Sequence, residues 1–182
     1  MQKKEGSKTY PYRWMMLLLI TVPFWAVNSS QYQLSAWSGE FMSDLSIGIA
    51  QFSAVMFSFS ITNGVLAAFG GALEDRFGAK LVGVISGIIS TVCAFARLFT
   101  ANFYLFLILS VLIGSMAGTV AAAMPKIISA WFPLNESTFA FSVSCCGGGM
   151  GIAFAQMTSG LFSGYRSALT FSAYMLLSVT VL

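Results

Sequence analysis

The sequence predicts an all-α, polytopic membrane helix bundle with six transmembrane helices. Hydrophobic residues make up 57% of the 182 residues and charged residues only 8%, whereas a soluble domain carries about 25% charged residues. Four charge-free stretches (14–39, 45–73, 98–125 and 137–165) are each longer than the ~20 residues that a helix needs to cross a bilayer. This composition excludes a disordered chain, a nucleic-acid binder and a disulfide-built secreted domain, and it argues against a soluble enzyme.

Taken in order, residues 1–12 form a short cytoplasmic N-terminal arm and residues 13–182 form the bundle. The third span is long enough only if Arg97 snorkels to the interface. The last charge-free window, 167–182, covers about 24 Å, so we expect the chain to be cut inside or at the end of its sixth helix. The expected spans are about 13–37, 48–70, 81–100, 103–131, 138–161 and 165–182, with loops at roughly 38–47, 71–80, 98–102, 132–137 and 162–166.

Basic residues predict the orientation of the bundle, because they accumulate on the cytoplasmic side of a membrane. If successive spans cross the membrane in alternating directions, Arg97 and Arg166 are the only two basic residues on one side, and the other seven lie on the opposite side. The N-terminus is therefore predicted to lie in the cytoplasm, with the protein in the cell (cytoplasmic) membrane. The seven basic residues on the cytoplasmic side are Lys3, Lys4, Lys8, Arg13, Arg76, Lys80 and Lys126.

Small residues four positions apart predict close helix crossings, because they let helix backbones approach in lipid. The alternative is ordinary bundle packing without a special crossing. The pairs are Gly64/Ala68, Gly83/Gly87, Gly114/Gly118, Ser144/Gly148 and Gly147/Gly151.

The segment 71–80, GALEDRFGAK, matches the pattern G-x-L-x-D-R-x-G-x-K and lies between spans two and three. It resembles the loop between helices two and three of the major facilitator superfamily. The matching residues are Gly71, Leu73, Asp75, Arg76, Gly78 and Lys80. Further similarities are Gly114-Ser-Met-Ala-Gly118 in span four, Ala130-Trp-Phe-Pro133 followed by Glu136, and Tyr165-Arg166 before span six.

The resemblance implies a major-facilitator-like N-terminal half, completed by a C-terminal six-helix half of the same protein. The sequence also departs from the family: Ser110 stands where members often have Arg, Ser137 where many have Arg, and span five lacks a Gly-Pro pair.

The resemblance also implies that Asp75 acts as a conformational latch by contacting a helix N-terminus of the other half. Arg76 and Lys80 would then pair with acids or lipid phosphates. The alternative is that Arg76 and Lys80 only set the topology.

Candidate substrate-cavity residues lie on two spans. In span one, Asn28, Gln31, Tyr32 and Ser35 share a face, which favours either a wet cavity lining or interhelical hydrogen bonding. In span four, Ser115, Thr119 and Lys126 share a face. The Lys126 ammonium favours an anionic solute if it faces the cavity, and otherwise it is an interfacial topology residue.

No Asp or Glu lies inside the charge-free windows, and the chain has no His. The three Cys are expected to be packing residues. We therefore predict no catalytic residues, no metal and no cofactor, with the lipid bilayer and a small-molecule substrate as partners.

The function predicted is secondary active or facilitative transport of a small polar solute by alternating access, with Lys126 favouring an anion. The alternatives are a six-helix membrane scaffold or accessory subunit without transport of its own, and a membrane-embedded enzyme, for which no catalytic set is present.

Overall fold

The computed structural model describes residues 12–181, and these residues form seven α-helices and one 3₁₀ turn without a β-strand. The predicted all-α class is confirmed. Residues 1–11 of the expected N-terminal arm and Leu182 lie outside the described residues. The helices are α1 (Arg13–Ala36), α2 (Ser38–Asp44), α3 (Ile49–Phe77), α4 (Ala79–Leu98), α5 (Phe103–Trp131), α6 (Leu134–Thr158) and α7 (Tyr165–Val181), with the 3₁₀ turn at Ser159–Leu161.

Four helical segments of the described chain are long and apolar enough to cross a membrane: Ile49–Phe77, Lys80–Leu98, Phe103–Trp131 and Leu134–Leu161. Helix α1 is long enough, with 24 residues, but it is not one of these four helices. Its polar run 28–33 lowers its mean hydropathy. Helix α7 has 17 described residues. The count of six spans therefore stays a prediction for α1 and α7.

The helices meet at two ends of the bundle. The Gly78 end contains the turn at Gly78, the turn at Phe132–Pro133 and the start of α1. The Asp44 end contains α2, the turn between α4 and α5, and the 3₁₀ turn before α7. An ion pair links two helices at each end. Arg13 of α1 pairs with Glu136 of α6 at 2.7 Å at the Gly78 end, and Arg166 of α7 pairs with Asp44 of α2 at 3.0 Å at the Asp44 end.

Glycines set two close helix crossings. A Cβ at Gly114 would lie 2.8 Å from the Cα of Phe59, so α5 approaches α3 with no room for a larger side chain. A Cβ at Gly151 would clash with the backbone carbonyl oxygen of Trp25 and lie 3.3 Å from the backbone N of Ser29, which places α6 in close contact with α1. The spacing of small residues predicts both contacts. By contrast, Gly64 and Gly83 face open space.

Local residue choices explain where several helices begin. The backbone N–H of Gly48 donates to Oε1 of Gln51 (3.0 Å) at the start of α3, which is one of the two hydrogen bonds of a capping box. The side chain of Asn102 accepts a hydrogen bond from the backbone N–H of Tyr104 (2.9 Å) at the start of α5. These caps satisfy N–H groups that have no partner inside the helix.

Three segments expected as loops are largely helical, and in one of them, 132–137, helix α6 already begins at Leu134. Helix α3 continues through seven residues of the segment 71–80 and stops at Phe77, because Gly78 adopts a φ of 86° and turns the chain within one residue. The segment 38–47 contains α2, which is held down by the fully buried ring of Phe41.

Candidate functional site

The predicted latch motif is the junction of α3 and α4. Gly71, Leu73, Asp75 and Arg76 lie in the last two turns of α3, Gly78 makes the turn, and Lys80 lies in the first turn of α4. The carboxylate of Asp75 is exposed (75% of the side chain). The motif therefore presents an accessible carboxylate at the end of a helix rather than in a loop.

Lys126 of α5 reaches this motif. Its ammonium donates to the backbone carbonyl of Gly71 (2.6 Å) and to Oδ1 of Asp75 (2.7 Å), and it lies 3.9 Å from Oε2 of Glu74. Sequence reasoning separated Lys126, as a cavity candidate, from the motif, whereas the structure brings the two together. The ammonium charge is engaged with α3 and ties α5 to the Gly78 end.

Glu74 is a buried carboxylate that the charge-free windows did not reveal, because the second window stops at residue 73. Helix α3 carries Glu74 inside a segment long enough to span a membrane, and the residue is only 5% exposed. It lines a cavity of about 610 Å³ between α1, α4 and α5, together with Lys80 and otherwise mainly apolar side chains. Glu74 thus lies outside the charge-free windows but within a helix that is long and apolar enough to cross a membrane.

The polar face of α1 is present, and most of its groups bond within the bundle. The Asn28 amide donates to the carbonyl of Phe24 (2.8 Å), and the Ser35 hydroxyl donates to the carbonyl of Tyr32 (2.7 Å). The amide of Gln156 on α6 donates to the hydroxyl of Ser35 (2.6 Å). Interhelical hydrogen bonding therefore contributes to this face, as one of the two sequence-based interpretations expects.

The polar residues of α5 are divided between different surroundings. Thr119 is buried and its hydroxyl lies 2.8 Å from that of Ser86 on α4. Ser115 is half-buried and donates to the carbonyl of Leu112 (2.7 Å). With Lys126 held at α3, the three predicted residues of α5 do not converge on one ligand.

Arg97 of α4 is the largest departure from the sequence analysis. Its side chain was expected to snorkel to the membrane interface, but the residue is only 2% exposed. Nη2 donates to Oε1 of Gln31 (2.8 Å) on α1 and to the hydroxyl of Ser110 (2.7 Å) on α5. The guanidinium also stacks at 5.0 Å over the ring of Phe106.

Arg97 stays inside because two neighbouring helices offer it contacts: α1 provides an acceptor, and α5 provides a second acceptor and an aromatic face. Members of the family often have Arg at the position of Ser110 on α5. Here the guanidinium that reaches this position comes from Arg97 on the neighbouring helix α4. The only available sequence signal was a lone Arg near the end of an apolar span, with Gln31 on another span.

A second charged cluster closes the Asp44 end. Asp44 accepts hydrogen bonds from the Tyr165 hydroxyl and from Arg166 (3.0 Å). These two donors, Tyr165 first, hold the pKa of Asp44 below its ordinary value. The Glu40 carboxylate accepts the backbone N–H of Tyr165 (3.1 Å), so α2 caps the start of α7.

Among residues 12–181, no group of three or more His, Cys, Asp or Glu side chains could hold a metal ion. The chemistry that the described contacts support is ion pairing and hydrogen bonding. They tie helices together and place polar groups inside an apolar bundle.

The fold and these contacts define a class: a helical, polytopic membrane protein with charged and amide side chains in its interior. Residues 13–182 match the family model described as Major Facilitator Superfamily. The chain belongs to the Major Facilitator Superfamily, and it is an integral membrane protein.

The chain is also similar to the "Hexuronate transporter" of Bacillus subtilis (strain 168), with 27% identity over 120 residues. This match covers 66% of the chain and 28% of the relative. The chain therefore matches little more than a quarter of that protein's length.

Proposed function

We propose that this chain forms the N-terminal six-helix half of an alternating-access transporter that moves a small polar solute, preferentially an anion, across the cell membrane. In this proposal the N-terminus lies in the cytoplasm and a C-terminal six-helix half completes the substrate cavity. Membership of the Major Facilitator Superfamily supports the transport class. The similarity to a hexuronate transporter supports an anionic solute.

The single observation that carries the proposal is the polar face of α1. Asn28, Gln31, Tyr32 and Ser35 follow one another at helical spacing, and Gln31 is fully buried. Polar groups inside a membrane-spanning bundle are costly, and they commonly mark a solute pathway. Substrate sites of such transporters lie near the midplane, between two repeats. A scaffold does not require this face.

The latch motif supports the conformational part of the proposal. Asp75 is exposed and bonded to Lys126 within the same bundle. We infer that Asp75 exchanges this partner for a helix N-terminus of the second half when the transporter changes state. A carboxylate near a helix N-terminus gains about 0.3–1 kcal/mol, which suits a contact that forms and breaks in every cycle.

Uptake by the full protein in proteoliposomes tests the function. We expect saturable uptake of D-glucuronate, with D-glucose as the uncharged sugar of similar size. Asp75→Asn should slow uptake without reducing membrane insertion, and Asp44→Asn serves as a matched acid-to-amide change at the opposite end of the bundle. If neither sugar is taken up, the proposed transport function is contradicted. If Asp75→Asn and the unchanged protein transport at equal rates, the proposed latch is contradicted.

A further inference from the structure

We propose that Arg97 is the anion-binding group of the solute site, and that a carboxylate on the solute takes the place of the Gln31 amide oxygen on its guanidinium. This inference rests on the proposed transport of a small solute and deepens it by naming the substrate class. The class is a small solute that carries at least one carboxylate.

The first step concerns charge. Arg97 is almost fully buried, yet no carboxylate in the described part of the chain lies within ion-pair distance of it. The cations Arg13, Lys126 and Arg166 each face an acid at 2.7–3.0 Å. A buried cation without a counter-charge carries a large desolvation cost. An anion that enters the site removes part of this cost.

The second step concerns hydrogen bonds. A guanidinium has five N–H donors, and both bonds that Arg97 makes to side chains leave from Nη2. The buried atoms Nε and Nη1 have no hydrogen-bond partner. Three donors therefore lack acceptors in a place where an unmet polar group is expensive.

The third step concerns the two acceptors that are present, because both are weak competitors for the guanidinium. The Ser110 hydroxyl donates its own hydrogen bond to the carbonyl of Phe106 (2.8 Å), and its neutral oxygen accepts from Arg97. The Gln31 amide is also neutral, and its Nε2 meets only the sulfur of Met56 at 3.7 Å. A carboxylate adds the attraction of a full negative charge to these bonds, and it can accept two of them side by side.

The fourth step concerns the shape of the ligand. Nη1 and Nη2 form the end-on fork of a guanidinium, and a carboxylate matches this fork with two parallel bonds. A carboxylate that displaces Oε1 of Gln31 from Nη2 brings its second oxygen to the unpartnered Nη1. Gln31 belongs to the polar face of α1, one turn beyond Asn28, so the displaced amide remains available to bind the rest of a polar solute.

Ligand-dependent thermal unfolding of the full protein tests the inference separately from transport. D-glucuronate and D-glucose are the probes, because they differ at C6 by a carboxylate against a hydroxymethyl group. We expect glucuronate and not glucose to raise the unfolding temperature. Arg97→Gln should weaken apparent glucuronate affinity at least tenfold, Arg97→Lys should restore only part of it, and Arg166→Gln should leave it unchanged.

A second variant separates binding from folding if Arg97→Gln is unstable. Gln31→Glu places a carboxylate against Arg97 within the chain, so it should raise the unfolding temperature without ligand and abolish glucuronate binding. A purely structural Arg97 predicts the stability gain with unchanged binding, and that result would overturn the proposal.

The outcomes distinguish this inference from the proposed function. Glucuronate uptake that is equal in Arg97→Gln and the unchanged protein overturns the anion site and leaves the transport function standing. Arg97-dependent glucuronate binding without any uptake supports the anion site and contradicts transport. If glucuronate, acetate, lactate and sulfate all fail to stabilise the unchanged protein, the anion site is wrong.

Discussion

Two cations hold α5 to its neighbours, and they are paired in different ways. Lys126 stands at the Gly78 end, partly exposed, and meets a carboxylate and a backbone carbonyl at 2.6–2.7 Å. Arg97 approaches α5 from α4, is buried, and meets only the neutral oxygens of Gln31 and Ser110. A cation whose charge is already neutralised serves as a structural tie, whereas a buried cation without an acid keeps its capacity to bind an anion. The difference between them therefore supports a structural role for Lys126 and the proposed anion-binding role for Arg97.

The largest loss of stability is expected from a substitution that displaces α5, because the contacts of both cations depend on the position of this helix. Gly114→Val puts a Cβ 2.8 Å from the Cα of Phe59, and we expect a loss of about 3 kcal/mol in unfolding free energy. Thermal unfolding in detergent measures the loss. Gly83→Val is the matched control, because nothing lies within 4 Å of a Cβ at this position, and it should be neutral or slightly stabilising. Equal effects at the two glycines would contradict the close crossing.

The second prediction concerns the neutral acceptor of Arg97. Gln31→Leu removes a hydrogen bond to a buried charge, and we expect a loss of about 2 kcal/mol in unfolding free energy. Gln33→Leu is the control on the same helix: Gln33 is equally buried, but neither atom of its amide group has a hydrogen-bond partner. The control should be neutral or stabilising. A similar loss for both variants would mean that Gln31 does not support Arg97 specifically.

The third prediction concerns the paired cation. Lys126→Met removes the one cation within 4 Å of the Glu74 carboxylate among the described residues, and it frees Asp75. Because Lys126 is 39% exposed, solvent screens the pair, and we expect a loss of only about 1 kcal/mol. Lys80→Met, at an exposed lysine of the same motif, should change stability by less than about 0.5 kcal/mol. Chemical unfolding of both variants measures the difference, and no loss for Lys126→Met would mean that the contact is not a structural tie.

The fourth and smallest effect is at the Asp44 end, where a carboxylate and an arginine are paired near solvent. The pKa of Asp44 is lowered by Tyr165 and then by Arg166. A lowered pKa contributes stability above the unfolded pKa of about 3.9, and the contribution is lost as the pH falls through the folded value. At pH values below about 4, the unfolding temperature should therefore decrease slightly. Tyr165→Phe should reduce this slope and Ser43→Ala should not; an identical slope in Tyr165→Phe would rule out the hydrogen bond as its cause.

Several features of the fold were predictable because they depend on nearby residues. The all-helical class follows from the long charge-free stretches, and the position of the latch motif follows from Gly78, whose φ of 86° ends α3. The pair Gly114/Gly118 predicted a close crossing on α5, and the structure shows that α3 is the partner. Within the candidate site, the polar face of α1 follows from the spacing of Asn28 and Gln31.

Other features depend on residues far apart in the chain. Arg97 is separated from Gln31 by 66 positions and from Ser110 by 13, and its burial depends on both. Lys126 is 51 positions from Asp75. The burial of Glu74 was not predicted, because α3 extends to Phe77 and thus about two turns beyond the expected span, and the carboxylate had been assigned to a loop.

The sequence by itself determined that this protein is a helical membrane protein of the Major Facilitator Superfamily, because hydropathy, small-residue spacing and the motif of segment 71–80 are local properties of the chain. Only the tertiary structure decided which cation is neutralised and which is not. An ion pair or a buried hydrogen bond requires two side chains within about 3 Å, and the crossings of α1, α4 and α5 determine which side chains come that close.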